Sequence, residues 1–250
     1  MNKTSIIQEI INTLKAKTYL EIGVFKGETF LQIRAPIRIA VDPTLLITKT
    51  QKLVEALKNK YFFLKNKRSL ASYPIFDKYY EITSNEFFKT KKDLLEKHSL
   101  NVVLVDGSHA FEQSYIDVIN SLKYLNDNGF IVMHDCNPIS ELMAFPVEYK
   151  ENEDSFEKAR RKIGKENIKY WSGDVWKTIV ALNAIHDDLS ITVLNCDFGV
   201  GIIRKGINEN KIDLTYDEIK QLDYNYLNKN RKRILNLRSP NYLYEILKFI

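Results

Sequence analysis

Cysteine is nearly absent from this sequence: only Cys136 and Cys196 occur, without CxxC spacing, which excludes a disulfide framework and a zinc ribbon and leaves two packing residues. No apolar run approaches the length of a membrane span. The first residues, MNKTSIIQEIINTLKAKT, alternate apolar and polar side chains at helical spacing rather than forming a signal peptide, so a cytoplasmic protein without membrane insertion is expected. Internal repeats and low-complexity tracts are missing too. A large excess of one sign of charge is missing: the net charge is +5, and lysine is interleaved with Glu and Asp through most of the chain, which reads as a solvated surface. Nucleic acid is therefore not the expected partner. The densest basic run, residues 229–238, lacks the interleaved aromatics of a base-stacking platform and is a candidate contact for an anionic substrate or partner.

What is present suits one α/β domain with additions, since 250 residues with 44% hydrophobic content can bury a substantial core. The segment YLEIGVFKGET, residues 19–29, reads as a buried strand that stops in an acid, Glu21, and a turn permitted by Gly23 and Gly27. Its Gly-x-x-x-Gly spacing departs from the Gly-x-Gly-x-x-Gly fingerprint, and no Lys-Ser/Thr pair follows it, so a pyrophosphate cradle is disfavoured. A nucleotide-type ligand approached closely by backbone remains.

Strands and helices then alternate. A helix over 6–16 precedes the first strand, RIAVDP ends a second strand in Asp42, and residues 48–60 read as a helix followed by a basic stretch through Arg68. FDKYYEIT is a weaker third strand, and SNEF at 84–87 offers an N-cap for a helix toward His98. NVVLVDGSH is the clearest strand, a helix spans 111–125, Asn128-Gly129 makes a turn, and FIVMHD is another buried strand. This β-α-β-α order implies a parallel sheet covered on both faces, with ligands beyond the carboxyl ends of its strands. Glu21, Asp42, Asp106 and Asp135 all fall at that edge. Residues 137–172 break the rhythm and read as an insertion over the site. A helix over 175–185 and two strands around 191–203 follow, joined so closely that they must form an antiparallel hairpin. Residues 206–250 read as two helices; their Tyr and Leu residues suit either a homodimer contact or packing onto the same subunit.

This layout resembles the class I S-adenosylmethionine-dependent methyltransferases. The resemblance implies a Rossmann-like, doubly wound seven-stranded sheet, mostly parallel with one antiparallel strand, over residues 1–205, plus a C-terminal helical extension. It implies that Glu21, Gly23, Gly27 and Thr29 pack beneath the methionine part of the donor. Asp42 would grip the ribose hydroxyls, Ser84 would face the adenine, and Asp106 would border the donor. One carboxylate can accept from two vicinal hydroxyls, which makes the Asp42 match chemically sensible.

A narrower resemblance lies in VDGSHAFEQSYIDVINSLKYLNDNGFIVMHDCNP, WSGDVWK and CDFGVGIIRKG. These are similar to macrocin- and macrolide-type sugar O-methyltransferases and to methyltransferases of bacterial glycan loci. That likeness implies methyl transfer to a hydroxyl of a sugar, glycan precursor or related small molecule in polysaccharide biosynthesis. His109 would be the general base beside Asp106, and Asp106 and Asp135 would hold a divalent cation, magnesium or manganese, that lowers the hydroxyl pKa. His134 is a further candidate ligand of that cation, at a position that is acidic in several relatives, although imidazole suits magnesium poorly. Trp171 and Trp176 are candidate walls for a sugar ring, with Asp174 or Lys177 bonding its hydroxyls. Two other readings stay open. One is a nucleic-acid or other small-molecule methyltransferase, suggested by charge and by Asn137-Pro138-Ile139; the other is a cofactor-binding partner protein without activity.

Overall fold

The computed structural model describes residues 1–66, 74–148, 150 and 153–248, so the end of the basic stretch through Arg68 lies outside the described residues. Helix α1 (Lys3–Leu14) opens on a capping box in which Asn2 and Ser5 satisfy each other's backbone N–H groups, and it buries Ile6, Ile7, Ile10 and Ile11. The strands are β1 (Thr18–Ile22), β2 (Ile37–Val41), β3 (Phe76–Tyr80), β4 (Leu100–Val105), β5 (Leu125–Met133), β6 (Leu189–Leu194), β7 (Val200–Lys205) and β8 (Leu237–Arg238). They form one sheet in the order β3-β2-β1-β4-β5-β7-β6-β8, with β7 antiparallel to both its neighbours.

Among the described residues the sheet thus has eight strands rather than the expected seven. The extra one, β8, comes from the C-terminal extension and pairs in parallel with the outer edge of β6, where Asn195 N–H donates to the Arg238 carbonyl at 2.8 Å. Covering that edge removes a row of unpaired backbone groups. Two residues are too few to show strand alternation, which is why LNLRSP reads as part of a basic run. The extension is more broken than two helices. It holds α8 (Tyr216–Gln221), α9 (Tyr224–Ile234) and α10 (Tyr242–Leu247).

Side chains alternate across the sheet and divide the core into two layers. Leu20, Ile22, Val103, Val105, Ile131 and Met133 face a layer that also takes residues of α3 (Ser84–Thr90), α4 (Lys92–Lys97), α5 (Phe111–Leu122), α7 (Trp176–Ile185), α8 and α9. Tyr19, Ala40, Leu104, Phe130 and Val132 face the opposite layer with α1 and α10. Leu227 and Leu243 are fully buried in these layers, so much of the apolar surface of the extension is used within the chain, while Tyr244 stays exposed. Helix α2 (Lys49–Lys65) instead leaves Leu53, Leu57, Tyr61 and Leu64 exposed.

Two further departures are local. Asn128 and Gly129 lie inside β5, where the register with β4 slips between the Leu100 and Val102 pairs, instead of making a separate turn. The 137–172 segment contains α6 (Ser155–Ile163), capped by Asp154, and a single 3-10 turn at Ile168–Tyr170. No helix among the described residues is long and apolar enough to cross a membrane.

Candidate active site

The carboxyl ends of β1, β2, β4 and β5 lie side by side, and each ends in the acid expected there. After β1 the chain turns through Gly23, whose φ of +89° suits glycine and whose missing Cβ would lie 2.1 Å from the Asp106 carbonyl oxygen. The first loop is therefore pressed against the backbone of the residue that ends β4. Gly27, at φ +76°, faces Ile47 in the same way, and Thr29 is buried just beyond it, its carbonyl accepting from Gln32. Asp42 accepts from Phe25 N–H at 2.8 Å on one oxygen and from Thr44 N–H at 2.7 Å on the other. The Val24 backbone N–H bonds it as well, and a lone pair remains for a ligand hydroxyl. Ser84 is engaged elsewhere. Its hydroxyl accepts from Gln113 and bonds Asp117 in the packing of α3 on α5.

Glu21 is buried at the end of β1 and accepts from the Tyr19 hydroxyl at 2.5 Å. Burial, with the nearby Asp106 charge adding to it, pushes its carboxyl up to about 8. The native state then keeps a proton that the unfolded chain releases above its ordinary carboxyl pKa. Stability is lost as pH rises from that value through about 8. Glu21→Gln cannot ionise, so urea denaturation is expected to find it more stable than wild type at pH 8.5, by on the order of 3 kcal/mol, with the gap closing toward pH 5. An unchanged gap at the two pH values would contradict the assignment.

The acids of β4 and β5 meet two imidazoles. His109 Nε2 lies 3.4 Å from Asp135 Oδ2 and 3.9 Å from Asp106 Oδ1; His134 Nδ1 lies 3.3 Å from Asp106 Oδ1 and 3.2 Å from Asp135 Oδ2. His109 Nδ1 is 3.0 Å from the Trp171 carbonyl, which can only accept. That contact assigns the proton of the neutral ring to Nδ1 and leaves the Nε2 lone pair facing the two carboxylates. Trp171 stacks on His109 at 5.1 Å between centroids and is itself held by the Phe145 carbonyl, 2.7 Å from its indole nitrogen. Ser172 donates to Asp135 Oδ1 at 2.9 Å. Burial opposes charge on His134, but Asp106 and Asp135 outweigh it and raise its pKa well above the ordinary value. Burial likewise opposes charge on Asp106 and Asp135, yet the imidazoles, with Lys3 beside Asp106, hold both carboxyls below the usual carboxylate range.

Backbone strain gathers here. His109, Asp135 and Asp197 adopt left-handed φ values of 54°, 62° and 48°. Non-glycine residues in that region cost on the order of 1–3 kcal/mol each and persist where the surrounding structure fixes them. Gly173, at φ +63°, sits where a Cβ would lie 1.8 Å from the His109 carbonyl oxygen, so the 171–174 turn locks against the His109 turn.

Sequence reasoning missed Lys3, Ser172 and Asp197. Lys3 Nζ reaches Asp106 Oδ2 at 2.6 Å and His134 Nδ1 at 3.4 Å, and its backbone N–H donates to Asp197 Oδ2 at 2.7 Å. Nothing around a lysine at the start of an amphipathic helix signals this, because only the fold brings α1 over the ends of β4 and β5. One ligand atom each from Asp106, His134 and Asp135 lie within 4.8 Å of one another, the spacing of a metal-binding group. The Lys3 ammonium, however, already stands among those donors.

Other expected site residues lie apart from this cluster. Trp176 is 1% exposed and belongs to the core layer under α7, which leaves no ring face for a ligand. Asp174 accepts from Phe111 N–H at 2.8 Å at the start of α5, and Lys177 pairs with Asp174 and donates to the Lys220 carbonyl at 2.8 Å. Of the four residues assigned to an acceptor pocket, Trp171 alone touches the acid–imidazole cluster.

Comparison with known proteins gives one family match, over the strands that carry the acid row. Residues 20–136 match a family model described as a methyltransferase domain, a span that runs from β1 through the residue after Asp135. Among solved structures the chain is similar to a putative caffeoyl-CoA O-methyltransferase from Staphylococcus aureus, at 16% identity over 81% of this chain and 82% of that one, with a TM-score of 0.44. It is also similar to an O-methyltransferase from Bacillus cereus in complex with SAH, at 11% identity, 81% and 80% coverage and a TM-score of 0.46. The O-methyltransferase TomG from Streptomyces achromogenes, in complex with SAM, aligns at 11% identity, 82% and 79% coverage and a TM-score of 0.47. Among curated proteins none matches the chain.

Proposed function

We propose that the protein transfers a methyl group from S-adenosylmethionine to a hydroxyl of a sugar or glycan precursor that carries an anionic group. One observation carries the choice of a hydroxyl: the His109 lone pair, with its tautomer fixed by the Trp171 carbonyl, faces Asp106 and Asp135 beside the loop that Gly23 presses onto Asp106. S-adenosylmethionine supplies an electrophilic methyl on a sulfonium. Asp42 would accept from the donor's ribose hydroxyls, and the turn from Gly23 to Thr29 would hold its methionine part. With the donor bound, His109 Nε2 would take the proton of the acceptor hydroxyl as its oxygen bonds the methyl carbon and the carbon–sulfur bond breaks to leave a neutral thioether, and Asp106 and Asp135 would stabilise the imidazolium that forms. Asn137, the residue an amino-group methyltransferase reading would use, is engaged instead with Arg231 and Asn195.

The acceptor class draws support from the basic run. Lys229 and Lys232, one turn apart on α9, line a groove of about 570 Å³ with Arg238, Asn195 and Ser239, and no acidic residue lines it. Asn195 and Arg238 follow or end strands parallel to β1, so the groove opens at the same sheet edge as the acid cluster. The Asn195–Asn137 bond at 3.2 Å links it to the chain two residues beyond Asp135. A phosphate or carboxylate on the acceptor suits this groove. A labelled methyl-transfer screen across nucleotide sugars, sugar phosphates, neutral glycans and small phenols is expected to find turnover on the anionic sugars. Lys229→Ala/Lys232→Ala should raise KM about tenfold, with little change in kcat and a weaker dependence on salt. Turnover confined to neutral phenols, with an unchanged KM in the double variant, would contradict this reading.

A further inference from the structure

Lys3 is anchored at both ends. Its backbone is fixed by the Asn2–Ser5 capping box and by the 2.7 Å bond from its N–H to Asp197, and its ammonium is fixed by the 2.6 Å contact with Asp106. The side chain is largely buried, at 23% exposure. The same ammonium lies 3.4 Å from His134 Nδ1 and thus borders two of the three donors that could hold a divalent ion. A cation on those donors would need the Asp106 and His134 lone pairs at about 2.0–2.2 Å, and would stand against a positive charge at a separation where repulsion is strong in a partly buried site.

We infer that Lys3 is the resident cation of the Asp106–His134–Asp135 cluster and keeps a divalent metal out of it. Asp106, Asp135 and Asp197 converge on Lys3 and His134, so the cluster holds its carboxylates together with charges from the chain itself. In this arrangement Lys3 is a positioning residue: it fixes the Asp106 carboxylate beside His109 Nε2 without touching the transferred methyl. That role in turnover rests on the methyl-transfer reading above; the exclusion of metal does not.

Manganese titration of the full chain, followed by the electron paramagnetic resonance of free Mn²⁺, tests the inference on wild type, Lys3→Met and Lys3→Arg. Lys3→Met keeps most of the side-chain volume and removes the charge. It is expected to gain one Mn²⁺ site per chain, bound at least about tenfold more tightly than by wild type, and to lose it again when Asp135→Asn is added. Lys3→Arg should resemble wild type. Thermal melts and S-adenosylmethionine titrations of the same samples report folding and donor binding. Equal Mn²⁺ binding by wild type and Lys3→Met, or no gain in Lys3→Met, would overturn the inference. Absence of donor binding in every sample would remove the methyltransferase reading while leaving the Mn²⁺ contrast to stand or fall alone.

Discussion

His109→Ala is expected to lower methyl transfer by about 10²–10⁴-fold while leaving the affinity for S-adenosylmethionine unchanged. The size follows from chemistry. A hydroxyl is a poor nucleophile near neutral pH, and His109 Nε2 is the ring nitrogen left free to accept its proton once Nδ1 donates to the Trp171 carbonyl. Asp106 and Asp135 lie 3.9 and 3.4 Å from Nε2; as acceptors they make no hydrogen bond to its lone pair, but they are well placed to stabilise the ring once it is positive. The loop proposed to hold the donor owes nothing to His109: Gly23 meets the Asp106 backbone, and Asp42 is held by Phe25 and Thr44. Single-turnover assays at saturating acceptor, paired with a donor titration, separate the two effects. Turnover within about threefold of wild type would mean that another group takes the proton.

The largest effect on stability is expected at Arg38. In β2 this residue is wholly buried, and its guanidinium forms a two-pronged pair with Asp77 of β3, at 2.8 Å from Nε to Oδ1 and 2.6 Å from Nη2 to Oδ2. Nη1 donates to the Ile33 carbonyl at 2.9 Å, and the group lies over the Phe30 ring. Arg38→Met removes the charge and leaves the Asp77 carboxylate buried without its partner, which should cost about 3–5 kcal/mol in urea denaturation. Arg38→Met/Asp77→Leu should recover much of that loss, because an apolar pair of similar volume carries no desolvation penalty. A loss below about 1 kcal/mol in the single variant would show that the pair contributes little. Because β2 ends in Asp42, donor affinity should fall along with stability in the single variant.

The elements with strong periodicity or continuous apolar runs were legible in the sequence. β1, β4 and β5, α1 and α5, and the β6–β7 hairpin all follow from residue type and spacing, and with them the row of acids at one sheet edge. Arg38 was hidden inside IRIAV because nothing local says that Asp77 will neutralise it from the next strand. β8 was invisible because two residues carry no alternation. Trp176 and Lys177 were misplaced for a different reason. A Trp-x-x-x-x-Trp segment fits a pocket wall or a core helix equally well, and only the packing of α7 on the sheet shows Trp176 in the core. That Asp106, His109 and Asp135 lie together was legible because they end strands or follow them by a turn. Lys3, Ser172 and Asp197 reach the same cluster from distant parts of the chain, through contacts that only the folded molecule makes.

Calorimetric titration of the wild-type protein with S-adenosylmethionine tests the central claim most directly. One donor site per chain is expected. No binding under conditions where the protein remains folded would contradict the donor site at Gly23 and Asp42, and with it the methyl transfer assigned to His109.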